Sequence, residues 1–197
     1  MKRPPAQAPE SGYTEWLVRH QTPRWKRVVD VQRPYRNHLR ALQPGFVLEI
    51  GCGIGRNLGH VAGHGVGVDR DAESVRYVRE ELGYEAFTPD EFAASIHATG
   101  ARFDTLLVAH VLEHMTHDEA VELLRLYLPR IRRGGRVVVI TPQEWGQARD
   151  PTHVRFVDHG ENAALARELG LVVEKQYSFP LPRAFGRLFA YNEFISL

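Results

Sequence analysis

Along the chain, short apolar runs of strand length alternate with segments whose apolar residues recur at helical spacing. "FVLEI" ends at Ile50, "VGVD" at Asp69, "FDTLLVA" covers residues 103–109 and "RVVVIT" residues 136–141. A shorter strand is expected near Tyr84 to Thr88. Between these runs lie helical patterns: "GRNLGHVAG", then Ala72 to Leu82, a helix from Asp90, Asp118 to Leu128, and Asp158 to Leu169. Such alternation argues for a parallel sheet covered by helices on both faces, a doubly wound α/β fold. The end of the chain breaks the pattern. "LVVEKQYSF" and "LFAYNEFISL" are joined through Pro180 and Pro182 by too little chain for a crossover helix, so they should pair as an antiparallel hairpin at or near the sheet edge.

Ahead of the first strand the pattern differs. Residues 1–12, rich in Pro, Ala and Gly, read as a disordered lead. Residues 13–44 read as a helical collar or lid, broken at Pro23 and Pro34, and residues 45–197 as the main domain. Net charge over the whole chain is only +1, but residues 1–44 hold nine Lys/Arg against three acids. That basic front is a solvated face or a patch for a phosphate or carboxylate. At 197 residues the chain can bury a core without disulfides or metals. Its single cysteine, Cys52, cannot bridge internally, which points to a reducing, cytoplasmic setting. The first residues lack the apolar segment of an export signal, and no run of eighteen apolar residues occurs.

The chemistry concentrates behind the first strand, where "VLEIGCGIGRN" places Gly51, Gly53 and Gly55 in five residues. Such a turn lets backbone approach a ligand closely at the carboxyl ends of the strands. It departs from the dinucleotide fingerprint G-x-G-x-x-G, whose third glycine is replaced here by Arg56. Asp69 closes the second strand, where a carboxylate can accept both hydroxyls of a ribose. Glu49, ahead of the turn, is an anion that would repel a phosphate ligand. A ligand with a ribose, no phosphates and a positive charge satisfies both, and S-adenosylmethionine is such a molecule.

"LEIGCGIGRN", "VGVD" and "FDTLLVAHVLEHM" resemble the first, second and fourth motifs of the class I S-adenosylmethionine-dependent methyltransferases. The resemblance, over about residues 45–180, implies a Rossmann-like, seven-stranded, mostly parallel sheet with an antiparallel last strand. It implies Glu49 and the glycines beside the methionine moiety, Asp69 on the ribose, and Asp90, Glu91 and Phe92 near the adenine. Tyr35 would reach the cofactor's carboxylate, as tyrosines or arginines ahead of the first strand do in relatives. Arg70, His110 and Val111 complete the expected contacts, with Cys52 counted as a small residue of the turn.

Methyl transfer from a sulfonium is an in-line displacement, so most of the work is positioning. A hydroxyl acceptor also needs a base, which contributes about 10²–10⁴-fold. Five histidines fall in loops on the expected crevice side: His110, His114, His117, His153 and His159. "RDPTHVRFVD" resembles the D-x-T-H segment of many small-molecule methyltransferases. His153 is the candidate base, with Asp150 fixing it or holding a metal, and His114 is the alternative. Asp150, Glu113 and a nearby histidine could assemble a site for Mg²⁺. Tyr13, Trp16 and Arg155 are the candidate substrate contacts. The front of the chain is similar to small sugar-tailoring methyltransferases, including those that methylate the anomeric hydroxyl of O-methylated mannosides.

The chain lacks the [DNS]-P-P-[YFW] segment by which amino-methyltransferases of nucleic-acid bases resemble one another, and it carries no RNA-binding stripe. The expected acceptor is therefore a small hydroxylated molecule, a sugar foremost, with neither nucleic acid nor membrane as partner and a monomer or homodimer as the assembly. An amine, phenol or quinone precursor is the second reading. A catalytically silent cofactor-binding regulator and a dehydrogenase stand further off.

Overall fold

Residues 32–197 are described by the computed structural model; Tyr13, Trp16, the lead over residues 1–12 and most of the collar lie outside them. Of the collar, one helix is described, α1 (Arg33–Ala41), with Pro34 in its first turn, where a missing N–H costs nothing. The apolar runs become strands: β1 (Val47–Ile50), β2 (Gly65–Val68), β3 (Glu85–Phe87), β4 (Phe103–Ala109) and β5 (Ile131–Pro142). Between them come α2 (Arg56–His60), α3 (Ala72–Leu82), α4 (Pro89–Ala94) and α5 (His117–Tyr127). After β5 follow α6 (Glu144–Gln147), α7 (His159–Glu168), β6 (Gln176–Phe179) and β7 (Glu193–Ser196).

The helices start where the sequence supplies caps. Asp71 accepts the amides of Glu73 and Ser74 at the head of α3, and Thr88 with Glu91, like Thr116 with Glu119, forms a reciprocal capping box. Gly83 ends α3 in the left-handed conformation.

The seven strands form one sheet in the order β3-β2-β1-β4-β5-β7-β6. β1 to β5 are parallel, and β7 runs antiparallel between β5 and β6. The expected terminal hairpin is present, with its second strand inserted and its first at the edge. β6 is shorter than "LVVEKQYSF" suggests: Glu174 and Lys175 instead donate to the carbonyl of Leu197 at the chain end. β5 is longer than "RVVVIT", because residues 131–135 continue the strand through an irregularity beside β4.

Alternation along the strands divides the core. Leu48, Ile50, Leu106 and Val108 face α5 and α7 together with Phe103 and Leu124, whereas Val47, Leu107, Ala109 and Ile140 face α1 through Leu39. Chain order reverses at β1, which has β2 on one side and β4 on the other. A crevice therefore opens beyond the carboxyl ends of β1 and β4.

Phe103 is fully buried at the start of β4 and stacks on Phe46 with ring centroids 4.9 Å apart. Phe103→Ala should cost about 3–5 kcal/mol. Urea unfolding checks this: the midpoint falls with little change in slope.

Candidate active site

The turn after β1 is built from three left-handed glycines, Gly51, Gly53 and Gly55, with φ of +71°, +50° and +74°. Gly51 is there for close approach. A Cβ on it would lie 2.3 Å from Cγ2 of Val111, the second residue after β4. Gly53 differs, because a Cβ there would meet nothing within 4 Å. The turn thus presents bare backbone to open space at the crevice. Asp69, just beyond β2, fixes it: Gly53 N–H donates to Oδ2 at 2.7 Å, and Asp71 N–H donates to Oδ1 at 2.9 Å.

Opposite the turn, the segment after β4 and the loop after α6 come together. The ring centroids of His114 and His153 are 4.7 Å apart. One donor atom from each of Glu113, His114 and His153 lies within 4.8 Å of the other two. Glu113 is fully buried, and its backbone carbonyl accepts the amides of Val154 and Arg155, which fastens the loop. The open space beside Gly53, the carboxylate after β2 and an unpartnered buried oxygen on Glu49 together fit a cationic nucleoside.

Comparison with known proteins agrees. Residues 47–135 match a family described as a methyltransferase domain. A SAM-dependent methyltransferase from Archaeoglobus fulgidus superposes with a TM-score of 0.64 at 17% identity, over 93% of this chain and 98% of that one. A TehB-like SAM-dependent methyltransferase from Corynebacterium glutamicum gives 0.65 at 18%, over 94% and 96%. Magnesium protoporphyrin IX methyltransferase (ChlM) from Synechocystis, with bound SAM, gives 0.59 at 15%, over 95% and 90%. No curated protein matches the sequence significantly. The fold is that of a class I S-adenosylmethionine-dependent methyltransferase.

Within this methyltransferase fold several expected residues stand differently from their sequence reading. Glu49 is not an anion facing the ligand. It is 1% exposed, and burial, eased only partly by the 2.7 Å bond from Asn57 Nδ2, raises its pKa to about 8. Cys52 turns away from the crevice to pack between Gly67 and Leu58, and burial pushes its thiol pKa up, so it is unreactive. Phe92 is a core residue against Phe87 and Tyr127 and cannot stack on a ligand. Glu91 caps α4 and pairs with Arg79, which leaves exposed Asp90 and Arg70 as the polar groups at that end of the sheet.

Tyr35 is partly buried, and its phenol is kept neutral by burial and by the nearby carboxyls of Glu193 and Glu49, with Arg56 opposing. Arg155 donates to Glu161 at 2.7 Å rather than standing free for a substrate. Asp150 is not part of the Glu113 cluster. Its Oδ1 accepts from the Thr152 amide and hydroxyl, and these bonds outweigh burial to hold its pKa below the usual range. Its Oδ2 lies 3.9 Å from His153 Nε2.

Of the five histidines, His114 and His153 come together, and the other three are held by other partners. His117 pairs with Glu168 at 3.0 Å between α5 and α7, and His159 sits against the Tyr177 carbonyl and the Phe194 ring. His110 has a φ of +58°, uncommon for a side-chain-bearing residue, and its Nε2 lies 2.8 Å from Glu193. Burial disfavours its charge most, yet Glu193 and Glu113 together outweigh it and lift the pKa to about 10. Two functional neighbours went unforeseen. Asn57 satisfies Glu49 from one α2 turn away, a polar residue eight positions on that the sequence does display. Glu193 arrives from 83 residues beyond His110, a separation no local pattern announces.

The Glu49 carboxyl yields a pH test. Its folded pKa, about 8, lies above its ordinary 4.5, so its contribution to stability is complete below pH 4.5 and lost as pH climbs through 8. In Glu49→Gln, which cannot ionise, urea midpoints should decline less between those pH values than in the wild type. An identical decline means that Glu49 is already ionised at neutral pH.

Proposed function

We propose that this protein transfers a methyl group from S-adenosylmethionine to a hydroxyl of a small molecule, foremost a sugar or short oligosaccharide. Bound, the cofactor supplies an electrophilic methyl on a sulfonium. Gly53 leaves room for it, Asp69 carries the lone pairs for a ribose, and the orphan Glu49 oxygen waits for a cationic donor. The methyltransferase domain match and a neighbour of the same fold with bound SAM support this donor.

The observation that carries the choice of oxygen is the pair of imidazoles beside the donor site. His153 Nδ1 lies 3.0 Å from the Gln147 carbonyl, which can only accept, so the proton is on Nδ1 and Nε2 bears the lone pair. That atom can take the hydroxyl proton, and Asp150 at 3.9 Å offsets the charge that results. His114, exposed and in contact with the same ring, is the neighbour that shapes the approach.

A sugar finds flat apolar faces at the rim. Trp145 on α6 and Phe185 and Tyr191 ahead of β7 are all exposed, and both segments lie at the end of β5 where Pro142 pairs with Glu193. The same aromatics suit a phenol or quinone precursor, which is the second reading. Among the described residues no helix is long and apolar enough to cross a membrane.

Labelled methyl transfer to a panel of sugars and phenols tests the reading. His153→Ala should lower the rate by about 10²–10⁴-fold while S-adenosylhomocysteine still binds, and a rate within about threefold of wild type removes the base role.

A further inference from the structure

We infer that Glu113, His114 and His153 form a binding site for one divalent transition-metal ion of the zinc class. The inference deepens the reading above, because the site lies where the acceptor hydroxyl would be activated. It stands on four features of the cluster.

First, the ligand types match. Two imidazoles and one carboxylate suit Zn²⁺ and its first-row neighbours, whereas Mg²⁺ prefers oxygen ligands and retained water. The site therefore differs in both membership and metal from the Asp150 and Glu113 pair expected for Mg²⁺.

Second, both imidazoles present the correct face. His114 Nδ1 is 3.3 Å from the Thr152 carbonyl and 3.1 Å from Thr152 Oγ1. The carbonyl only accepts, and the hydroxyl already donates to Asp150 Oδ1 at 2.6 Å, so His114 Nδ1 must be the donor. His153 Nδ1 likewise donates to the Gln147 carbonyl. Each ring is thus anchored through Nδ1 and leaves Nε2 as a ligand, the arrangement in which metal-binding histidines are usually oriented.

Third, the carboxylate is unsatisfied. Neither Oε1 nor Oε2 of fully buried Glu113 has a hydrogen-bond partner, and the contact to His110 Nδ1 is an ion pair at 3.4 Å. His110 offsets part of its charge across that gap without forming a hydrogen bond, so both oxygens keep lone pairs that an ion could take. Fourth, Asp150 Oδ2 lies 3.9 Å from His153 Nε2, so a carboxylate that would help balance an ion's charge is close by.

The donor atoms, within 4.8 Å of one another, must close to about 3.4 Å around a tetrahedral ion with bonds near 2.0–2.1 Å. Small side-chain rotations would supply that movement without shifting the backbone, which the Glu113 carbonyl already fastens to the loop. With an ion bound, His153 Nε2 would be a ligand rather than the proton acceptor, and the ion would lower the pKa of a hydroxyl bound to it, whose proton would pass to water.

The test is Co²⁺ titration of the untagged, full-length protein, followed by calorimetry and by the visible absorption of imidazole-bound Co²⁺, with Zn²⁺ as competitor. One equivalent should bind and be displaced by Zn²⁺ but not by Mg²⁺. Glu113→Gln and His114→Ala should each weaken binding by at least about 100-fold, beyond the 10–100-fold typical of groups outside the ligand set. His117→Ala, outside the cluster, should bind as the wild type does. Because Glu113 is buried, exposed His114 provides the variant whose folding is secure, and retained S-adenosylhomocysteine binding verifies each variant. Absence of saturable binding, or binding unchanged in His114→Ala, overturns the metal site while leaving the donor site standing. Loss of S-adenosylhomocysteine binding by the wild type would instead remove the transferase reading and leave the metal site.

Discussion

The hydrogen bond from Gly53 N–H to Asp69 is the contact on which the rest of the site depends. Three left-handed glycines at alternate positions make a turn that an unfolded chain has little reason to adopt, because glycine loses the most backbone freedom on ordering. A charge-assisted bond worth about 1.5–3 kcal/mol offsets part of that loss and ties the turn to the end of β2. The amides of Gly51 and Cys52 add to it by donating to the Val68 carbonyl. Once the turn is held, Gly51 leaves room for Val111 where a Cβ would clash, and the segment carrying His110, Glu113 and His114 packs beside the glycine turn. Adjacency of glycine turn and this segment thus rests on one missing Cβ.

Two buried or partly buried groups at this end of the sheet reach opposite charge states under the same physics. Glu49 loses its hydration and regains one bond from a neutral amide, so desolvation wins and the acid form persists. His110 also loses hydration, yet two carboxylates face it, and the imidazolium persists. Sequence position alone cannot distinguish these outcomes, because the deciding partners, Asn57 and Glu193, belong to other elements. At Glu49 this end of the sheet therefore carries a neutral acid able to ionise against a cation, rather than a standing negative charge.

How far the sequence was legible follows from the range of the forces involved. The strands were readable because each is a short apolar run closed by turn residues, and the helix starts because caps are local in the chain. The glycine turn was readable for the same reason. Phe92 was misplaced because the Thr88–Glu91 capping box sets the phase of α4, and that phase directs the ring into the core. His117 and His159 were grouped with the crevice on loop position alone, whereas Glu168 and the Tyr177 carbonyl claim them in space. The two histidine errors involve a partner from another part of the fold, whereas that of Phe92 is one of helix phase.

The convergence of Glu113, His114 and His153 is also a long-range feature, but its rigidity comes from the backbone. The Glu113 carbonyl receives two amides from the loop that bears His153, so the carboxylate and the second imidazole share one framework. Thr152 links that loop to both Asp150 and His114 through a single hydroxyl, so the tautomer of one histidine is set by the turn that positions the other. The Thr152 hydroxyl that donates to Asp150 and accepts from His114 fixes Nδ1 of that ring, and the Gln147 carbonyl fixes Nδ1 of His153. The orientation of both rings is therefore decided by Thr152 and the Gln147 carbonyl, and the geometry of this cluster is a property of those hydrogen bonds as much as of the imidazoles themselves.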